Sequence, residues 1–524
     1  MESACYRSAF DPFKGEWNMS WPERLSQHDI VYLAPPDDPL HGFALGDGQS
    51  GALVHTDGGK LIVNLNKCDL WDVNPNRTPE CWEECYGEGD TCLRHAGRLE
   101  IDFHQPVFDL LYQREFTGRL SMADATLSMR AVTEFSTVGI SAFYEREHGV
   151  LCVDVERTGG EPAEADVALT RWGSRAFSRW YSGLTRDASI GLGGTASRAE
   201  GEVFLITQSL RTMRFAVAAA VTGAAPRKRQ SREGIFHLAE QSASRYTIYA
   251  AIVSSNDSDD PEAEALRRVR AAMALGKNAL HAAHAGAWRS FWDGAFIDIP
   301  DKYVENLWYN NLYLANSSSH GEYPPHFTSG IWGFTGDYVP WKDIFHWNTQ
   351  WTVKSLITSG RHWLADPYMK YRRRQLPLCR KYAERIHGKP GALYADVCDG
   401  AGFGADFGDV KCNLSPGAQI ARDMWTYYRY AGDLNFLRET AWPVMEAVAE
   451  FYESVFVPGA DGTLHIPASS AYEGSPLFKD SIPDLASAKA LFTIMPLASK
   501  ALGLDPGRWS GFAGRIAEYT LVPL

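Results

Sequence analysis

A chain of 524 residues is too long for one ordinary core, so two or more domains are expected. With 45% hydrophobic and 22% charged residues it has the balance of a soluble globular protein, and a net charge of -13 argues against a nucleic-acid or anionic-membrane partner. No run of eighteen apolar residues offers a membrane span.

The first stretch, Met1 to Trp21, mixes Arg7, Asp11, Lys14 and Glu16 with aromatics and lacks the basic start and apolar core of a signal peptide. As written the chain reads as cytoplasmic; it would be secreted or periplasmic if an N-terminal segment had been removed. Residues 40 to 255 are dominated by period-two segments between turn residues. Leu99, Ile101 and Phe103 alternate with Glu100 and Asp102, Leu151, Val153 and Val155 do the same, and Tyr246, Ile248, Ala250 and Ile252 repeat the pattern. Such alternation predicts half-buried strands in a large antiparallel β-sandwich, assigned to residues 1–255.

The nine cysteines, at 5, 68, 81, 85, 92, 152, 379, 398 and 412, are odd in number and irregular in spacing, which makes a poor disulfide framework. Cys81, Cys85, Cys92 and His95 fit no common zinc spacing and read as a loop-borne thiol cluster, so no metal or other cofactor is expected.

Pro261, preceded by the polar run Asn256 to Asp260, opens an Ala-, Arg- and Leu-rich helical stretch to about Trp292. It is assigned to a helical linker, residues 256–298. From Asp301 the sequence predicts helices over 301–316, 343–360, 363–387, 415–431, 434–456, 484–502 and 507–520, arranged as stacked hairpins in a domain spanning 299–524.

Three stretches carry residues beyond the needs of scaffolding. Gly330-Ile331-Trp332-Gly333 and Trp341 to Gln350 interleave polar side chains with aromatics, and the flat faces of Trp332, Trp341 and Trp347 suit sugar stacking. His346 and Asn348 would point the same way in an extended segment and diverge on a helix; at a helix entry they could grip a sugar hydroxyl or a water. In Ser469-Ser470-Ala471-Tyr472-Glu473-Gly474 a single carboxylate sits between small residues and an aromatic, a setting in which partial burial would raise a general acid's pKa. The third, Asp396 to Asp409, holds Asp399, Asp406 and Asp409 among glycines that let a ligand approach the backbone; Asp406 is the substrate-binding candidate, and a surface loop is the plainer reading. The run Arg372-Arg373-Arg374 reads as a solvated helix face.

These segments resemble glycoside hydrolase family ninety-five, in order along the chain. Phe43 to Leu53 is similar to the family's "lplGnGrlGamv" opening, Asn64 to Trp71 to "qlNedtlW", Gly97 to Phe103 to "LGdlrldF". Gly330 to Gln350 resembles the segment ending "NiNtQ", Ser415 to Tyr452 the "hlWehYeftgD" helices, and Ser469 to Glu473 the "pStSPEn" run that carries the family's general acid. The resemblance implies an N-terminal β-sandwich, a helical linker and a six-hairpin α/α toroid, here incomplete. It also implies metal-free inverting hydrolysis of terminal α-L-fucosyl, α-L-galactosyl or related residues of oligo- or polysaccharides. Glu473 would be the acid and Asn348 would orient the water; His346 stands where the family has the first Asn of its pair. Nothing matches the family's "HrHlSHL" base region, so the general base is unassigned, a fragment is expected, and an unclosed ring would favour self-association. A non-catalytic sugar-binding protein, a polysaccharide lyase and a glycoside phosphorylase remain alternatives.

Overall fold

The computed structural model describes residues 10–11, 16–17, 20–75, 91–160, 164–171, 175–177, 185–187, 195–224, 226–230, 234–238, 243–293, 296–333, 344–404, 412–471 and 475–519. The alternating segments become strands β1 (Ile30–Tyr32), β2 (Phe43–Gly46), β3 (Ser50–Asp57), β4 (Lys60–Lys67), β5 (Gly97–Asp102), β6 (Gln113–Leu120), β7 (Leu127–Thr133) and β8 (Thr137–Glu145). They continue as β9 (Val150–Thr158), β10 (Ala165–Thr170), β11 (Thr195–Glu200), β12 (Val203–Ser209), β13 (Arg214–Thr222), β14 (Arg227–Gln230), β15 (Gly234–Leu238) and β16 (Arg245–Ser254). Nine form one antiparallel sheet in the order β11-β12-β13-β16-β9-β8-β7-β6-β1, and seven form a second, β14-β15-β10-β5-β4-β3-β2.

The sheets share one core, in which Leu99 and Ile101 of β5 join Val153 and Val155 of β9 and Ile248 of β16. Along β5 the alternation holds, with Leu99 and Ile101 buried and Arg98, Glu100 and Asp102 partly exposed. β16 differs: every residue from Tyr246 to Ser254 is buried. Its outward residues Tyr249, Ala251 and Val253 are covered by Leu266 and Val269 of helix α1 (Pro261–Leu275).

α1 begins as the sequence indicates, with Pro261 at the first turn and the Asp260 carboxylate accepting from Ala263 N at 3.1 Å. The expected single linker helix is two helices. Gly276, at φ +79, closes α1 and starts α2 (Lys277–Trp292), a conformation that L side chains rarely adopt.

The helical part then runs α3 (Lys302–Ser318), α4 (His346–Thr358), α5 (Asp366–Arg374), α6 (Leu376–His387), α7 (Ser415–Ala431), α8 (Trp442–Val455) and α9 (Ile482–Ala501). α4 packs on α7, α7 on α9, and α8 backs both α7 and α9. The stretch expected as one helix from 434 widens into a π-helical segment at Leu437–Ala441, just before Pro443, which has no N–H for a regular ladder. The helix expected over 507–520 does not form in the described residues. That segment is turns plus Ala513–Arg515, broken by Pro506, Gly507 and Gly511 at φ +76.

The glycine motif at 46–51 joins the two parts. A Cβ on Gly46 would lie 2.2 Å from Ser317 O, and Gly48, at φ +106, exchanges backbone hydrogen bonds with Ser317 and His320. Glycines there let the β2–β3 turn sit directly on the end of α3.

Candidate active site

Ile344–Phe345 pairs with Val397–Cys398 and leads straight into α4. Asp396 holds that helix start: its backbone O accepts from His346 N at 2.8 Å and its Oδ1 from Trp347 N at 3.2 Å. A carboxylate suits the free N–H groups of a first turn. Because His346 and Asn348 both lie in that turn, they diverge. His346 is 1% exposed, whereas Trp347, at 45%, and Asn348 face the open side.

Both ring nitrogens of His346 are engaged within the protein. Nδ1 lies 2.7 Å from Tyr368 Oη and Nε2 lies 3.1 Å from Gln419 Oε1. Gln419 Oε1 already accepts from Gln350 Nε2 at 2.9 Å, so it can only accept from the imidazole too. That assigns the His346 proton to Nε2 and leaves Nδ1 to accept from the Tyr368 hydroxyl. Burial, reinforced by the Arg372 guanidinium, holds the imidazole well below its ordinary pKa, so the ring is neutral.

Arg372 is not part of a solvated face. It is fully buried, its guanidinium carbon 5.1 Å from the Tyr368 ring and 5.3 Å from that of Tyr371, and Nη1 donates to Gln375 Oε1. The helix turns this one arginine of three inward. Asp399, from the acidic loop, is buried as well and accepts from Phe403 N at 3.0 Å.

Trp332 is half-buried and donates Nε1–H to Leu45 O at 2.8 Å. It lines a cavity of about 500 Å³ together with Phe327, Thr349, Trp351 and Tyr368. Trp351 also meets Trp347 edge to face at 5.6 Å and carries Lys354 Nζ 4.5 Å above its ring. Trp332, Trp347 and Asn348 therefore share the surroundings of α4, with His346 beneath them.

Trp341, Asp406 and Glu473 lie outside the described residues, as do Cys81, Cys85 and Asp409. The hairpin that brackets Glu473 is described: Ser469–Ser470 pairs antiparallel with Leu477–Phe478. Ser469 Oγ donates to Asp484 Oδ2 at 2.5 Å in the first turn of α9. Burial pushes the Asp484 carboxyl up to about 6, against the opposing pull of Ser469, Ser481 and the Ser415 and Leu414 backbone N–H groups. The N-terminal ends of α4, α7 and α9 thus converge, through Gln350 with Gln419 and Asp484 with Ser415.

Sequence reasoning missed Tyr368, Gln419, Lys354 and Asp423 of this site. Asp423 had left a signal, for it falls on the apolar stripe Ile420, Met424, Tyr427 of α7, where a carboxylate is out of place.

Residues 270–505 match the glycosyl hydrolase family 95 catalytic domain. The chain is 27% identical over 221 residues to the kojibiose hydrolase of Flavobacterium johnsoniae, covering 40% of this chain and 30% of that protein. It is 22% identical over 566 residues to the "Probable alpha-fucosidase A" of Aspergillus niger, covering 91% of this chain and 70% of that one. The solved structure named "Putative kojibiose phosphorylase from human microbiome" superposes with a TM-score of 0.66 at 12% identity, over 93% of this chain and 70% of that one, and shares the fold. No helix among the described residues is long and apolar enough to cross a membrane.

Proposed function

We propose that this chain, whose residues 270–505 match the glycosyl hydrolase family 95 catalytic domain, is an inverting glycoside hydrolase acting on terminal α-L-fucosyl, α-L-galactosyl or related residues of oligo- or polysaccharides. The observation that carries the reading is the convergence of the α4, α7 and α9 N-termini. It sets Trp347 and Asn348 on the open side of α4 and brings the hairpin bracketing Glu473 to the same end of the helices.

In this mechanism Trp347 offers a flat apolar face to the sugar, and Asn348 positions a water through its amide oxygen and NH2. Glu473 protonates the glycosidic oxygen as the bond to the anomeric carbon breaks. The water attacks the opposite face, giving up its proton to a base whose carboxylate, in an inverting site, stands roughly 6.5–9.5 Å from the acid. The His346 network beneath keeps the first turn of α4 rigid while the sugar distorts.

The kojibiose relatives support a second reading, the same single displacement on an α-glucoside. The test is a panel of aryl α-L-fucoside, aryl α-L-galactoside and kojibiose, followed by proton NMR of the released sugar's anomer, with Glu473→Gln alongside. Inverted product from wild type and loss of roughly 10²-fold or more in the variant are expected. Retained configuration, or a Glu473→Gln enzyme as fast as wild type, would overturn the assignment.

A further inference from the structure

Behind α4 lies a carboxylate that this mechanism leaves unused. Asp423 on α7 is 1% exposed, and its Oδ2 has no hydrogen-bond partner among the described residues. A half-satisfied buried carboxylate is costly to a fold and calls for a reason. The cations that act on it are Lys354 from α4 and Arg372 from α5, both beyond ion-pair distance, and Arg422 from its own helix, 3.5 Å from Oδ1.

The other elements packed on α7 give it little charge to answer. α8, α9 and the segment before them contribute Leu437, Ala441, Val444, Val448, Leu485 and Ala488, all buried and apolar. Asp366 and His362 are met by Tyr427, one turn farther along α7, and Asp484 sits at its N-terminal end by Ser415. Toward α4 the polar groups are linked. Lys354 Nζ donates to Gln350 Oε1 at 2.9 Å, and Gln350 Nε2 donates to Gln419 Oε1 at 2.9 Å. The same Gln419 oxygen receives His346 Nε2–H at 3.1 Å.

We propose that Asp423 is a positioning residue: its carboxylate holds Lys354 on Gln350, and through Gln350, Gln419 and His346 it fixes the first turn of α4, where Trp347 and Asn348 meet the sugar. The proposal rests on the glycosidase reading for its consequence, though not for the network itself. No proton travels along the chain; what it transmits is orientation. Each amide is committed, so His346 carries its proton on Nε2 alone. With Asp423 neutral, Lys354 keeps the repulsion of Arg422, loses the anion that offsets it, and can turn out over Trp351, whose ring already lies 4.5 Å from Nζ. Gln350 then loses its donor, both amides can flip, and either imidazole nitrogen can hold the proton. Burial pushes the Asp423 carboxyl up to about 6, so the change comes as pH falls through that value.

The experiment uses the full chain labelled with 15N-histidine, with His346→Asn to assign the signal. In wild type above pH 7, His346 shows a neutral ring protonated on Nε2 only, and mixed tautomers appear below pH 6. Asp423→Asn and Lys354→Met show the mixed state at every pH. On a panel substrate, Asp423→Asn lowers kcat/KM at pH 8 by roughly threefold to thirtyfold and abolishes the acid limb near 6. Thermal unfolding guards against a folding defect: removing an uncompensated buried charge leaves the midpoint at pH 8 unchanged or higher. A single pH-independent tautomer in wild type and both variants overturns the proposal, as does a lowered midpoint with an unchanged pH profile, the mark of a structural role. Should the tautomers switch while no panel sugar is bound or hydrolysed, the network stands and the glycosidase reading falls instead.

Discussion

Gly400 makes one of the tightest contacts between the sandwich and the candidate site. A Cβ built there would lie 2.1 Å from Cδ2 of Trp71, where carbon atoms in contact keep about 3.5–4.0 Å apart. The ring has nowhere to go. It is 4% exposed and packed with Leu93, Ile344, Tyr371 and Cys398. The next residue, Asp72, is held by Arg94 Nε at 3.2 Å and Arg211 Nε at 3.0 Å. Because the backbone of Gly400 is not left-handed, the cost of Gly400→Ala is steric alone, at the upper end of the ~1–3 kcal/mol typical of overpacking. That is roughly 2–4 °C in the unfolding midpoint for each kcal/mol in a domain of about 200 residues. Trp71→Ala alone should cost about 3–5 kcal/mol, through its cavity. In the double variant the new methyl enters that cavity, so the two costs should fall short of their sum by about 2 kcal/mol. Thermal unfolding of the four proteins measures this. Additivity within about 0.5 kcal/mol would refute the claim that Trp71 is what Gly400 accommodates.

Lys67 lies buried between Asp69 at 2.8 Å and Asp257 at 3.2 Å, so Lys67→Met leaves two carboxylates without their shared cation and should cost roughly 3–5 kcal/mol in denaturant unfolding. A loss below about 1 kcal/mol would show those carboxylates to be solvated in the folded chain. Asp484 gives a pH signature: its carboxyl is raised from 3.8 to about 6, so between those values the native state holds a proton that the unfolded chain has released. The cost is absent below pH 4, grows as pH rises, and is complete above 6 at about 3 kcal/mol. Asp423, raised to the same value, adds a like slope, so Asp484→Asn should remove about half of the fall and Asp423→Asn the other half; a slope unchanged in the Asp484 variant would assign it to another group.

How far the sequence discloses this molecule depends on how local each cause is. The period-two pattern of Leu99 and Ile101 is a strand facing a core on one side, and the structure has it so. In Arg245–Ser254 the same pattern marks the strand but not its surroundings, since a helix from later in the chain buries the second face as well and admits Tyr249, Ala251 and Val253 there. Pro261 starts a helix for reasons within its own first turn, but Gly276 breaks it through a single dihedral that composition does not reveal. At the site, the motif around His346 was visible as an unusual string. Its partners were not, because Tyr368 and Gln419 stand 22 and 73 residues away and look like ordinary helix residues. Arg372 was misplaced for the same reason: three successive arginines look solvated until two tyrosines close over one of them.

The buried acids of the two halves are treated differently, and the contrast bears on function. In the sandwich, Asp69 has Lys67, Ser254 and Asn256, and Asp72 has Arg94 and Arg211; the partners outweigh burial, and both carboxyls are held below their ordinary value. Asp47 is pushed up despite its backbone partners, and it lies at the seam with α3. In the helical half, Asp423 and Asp484 are equally buried, yet burial wins and both rise to about 6. A fold selected for stability alone would pair these acids or replace them with apolar residues of similar size, as the rest of α7 and α9 does. That they stay under-compensated, one behind α4 and one behind the hairpin bracketing Glu473, is what a site that gives up stability for prearranged polar groups requires.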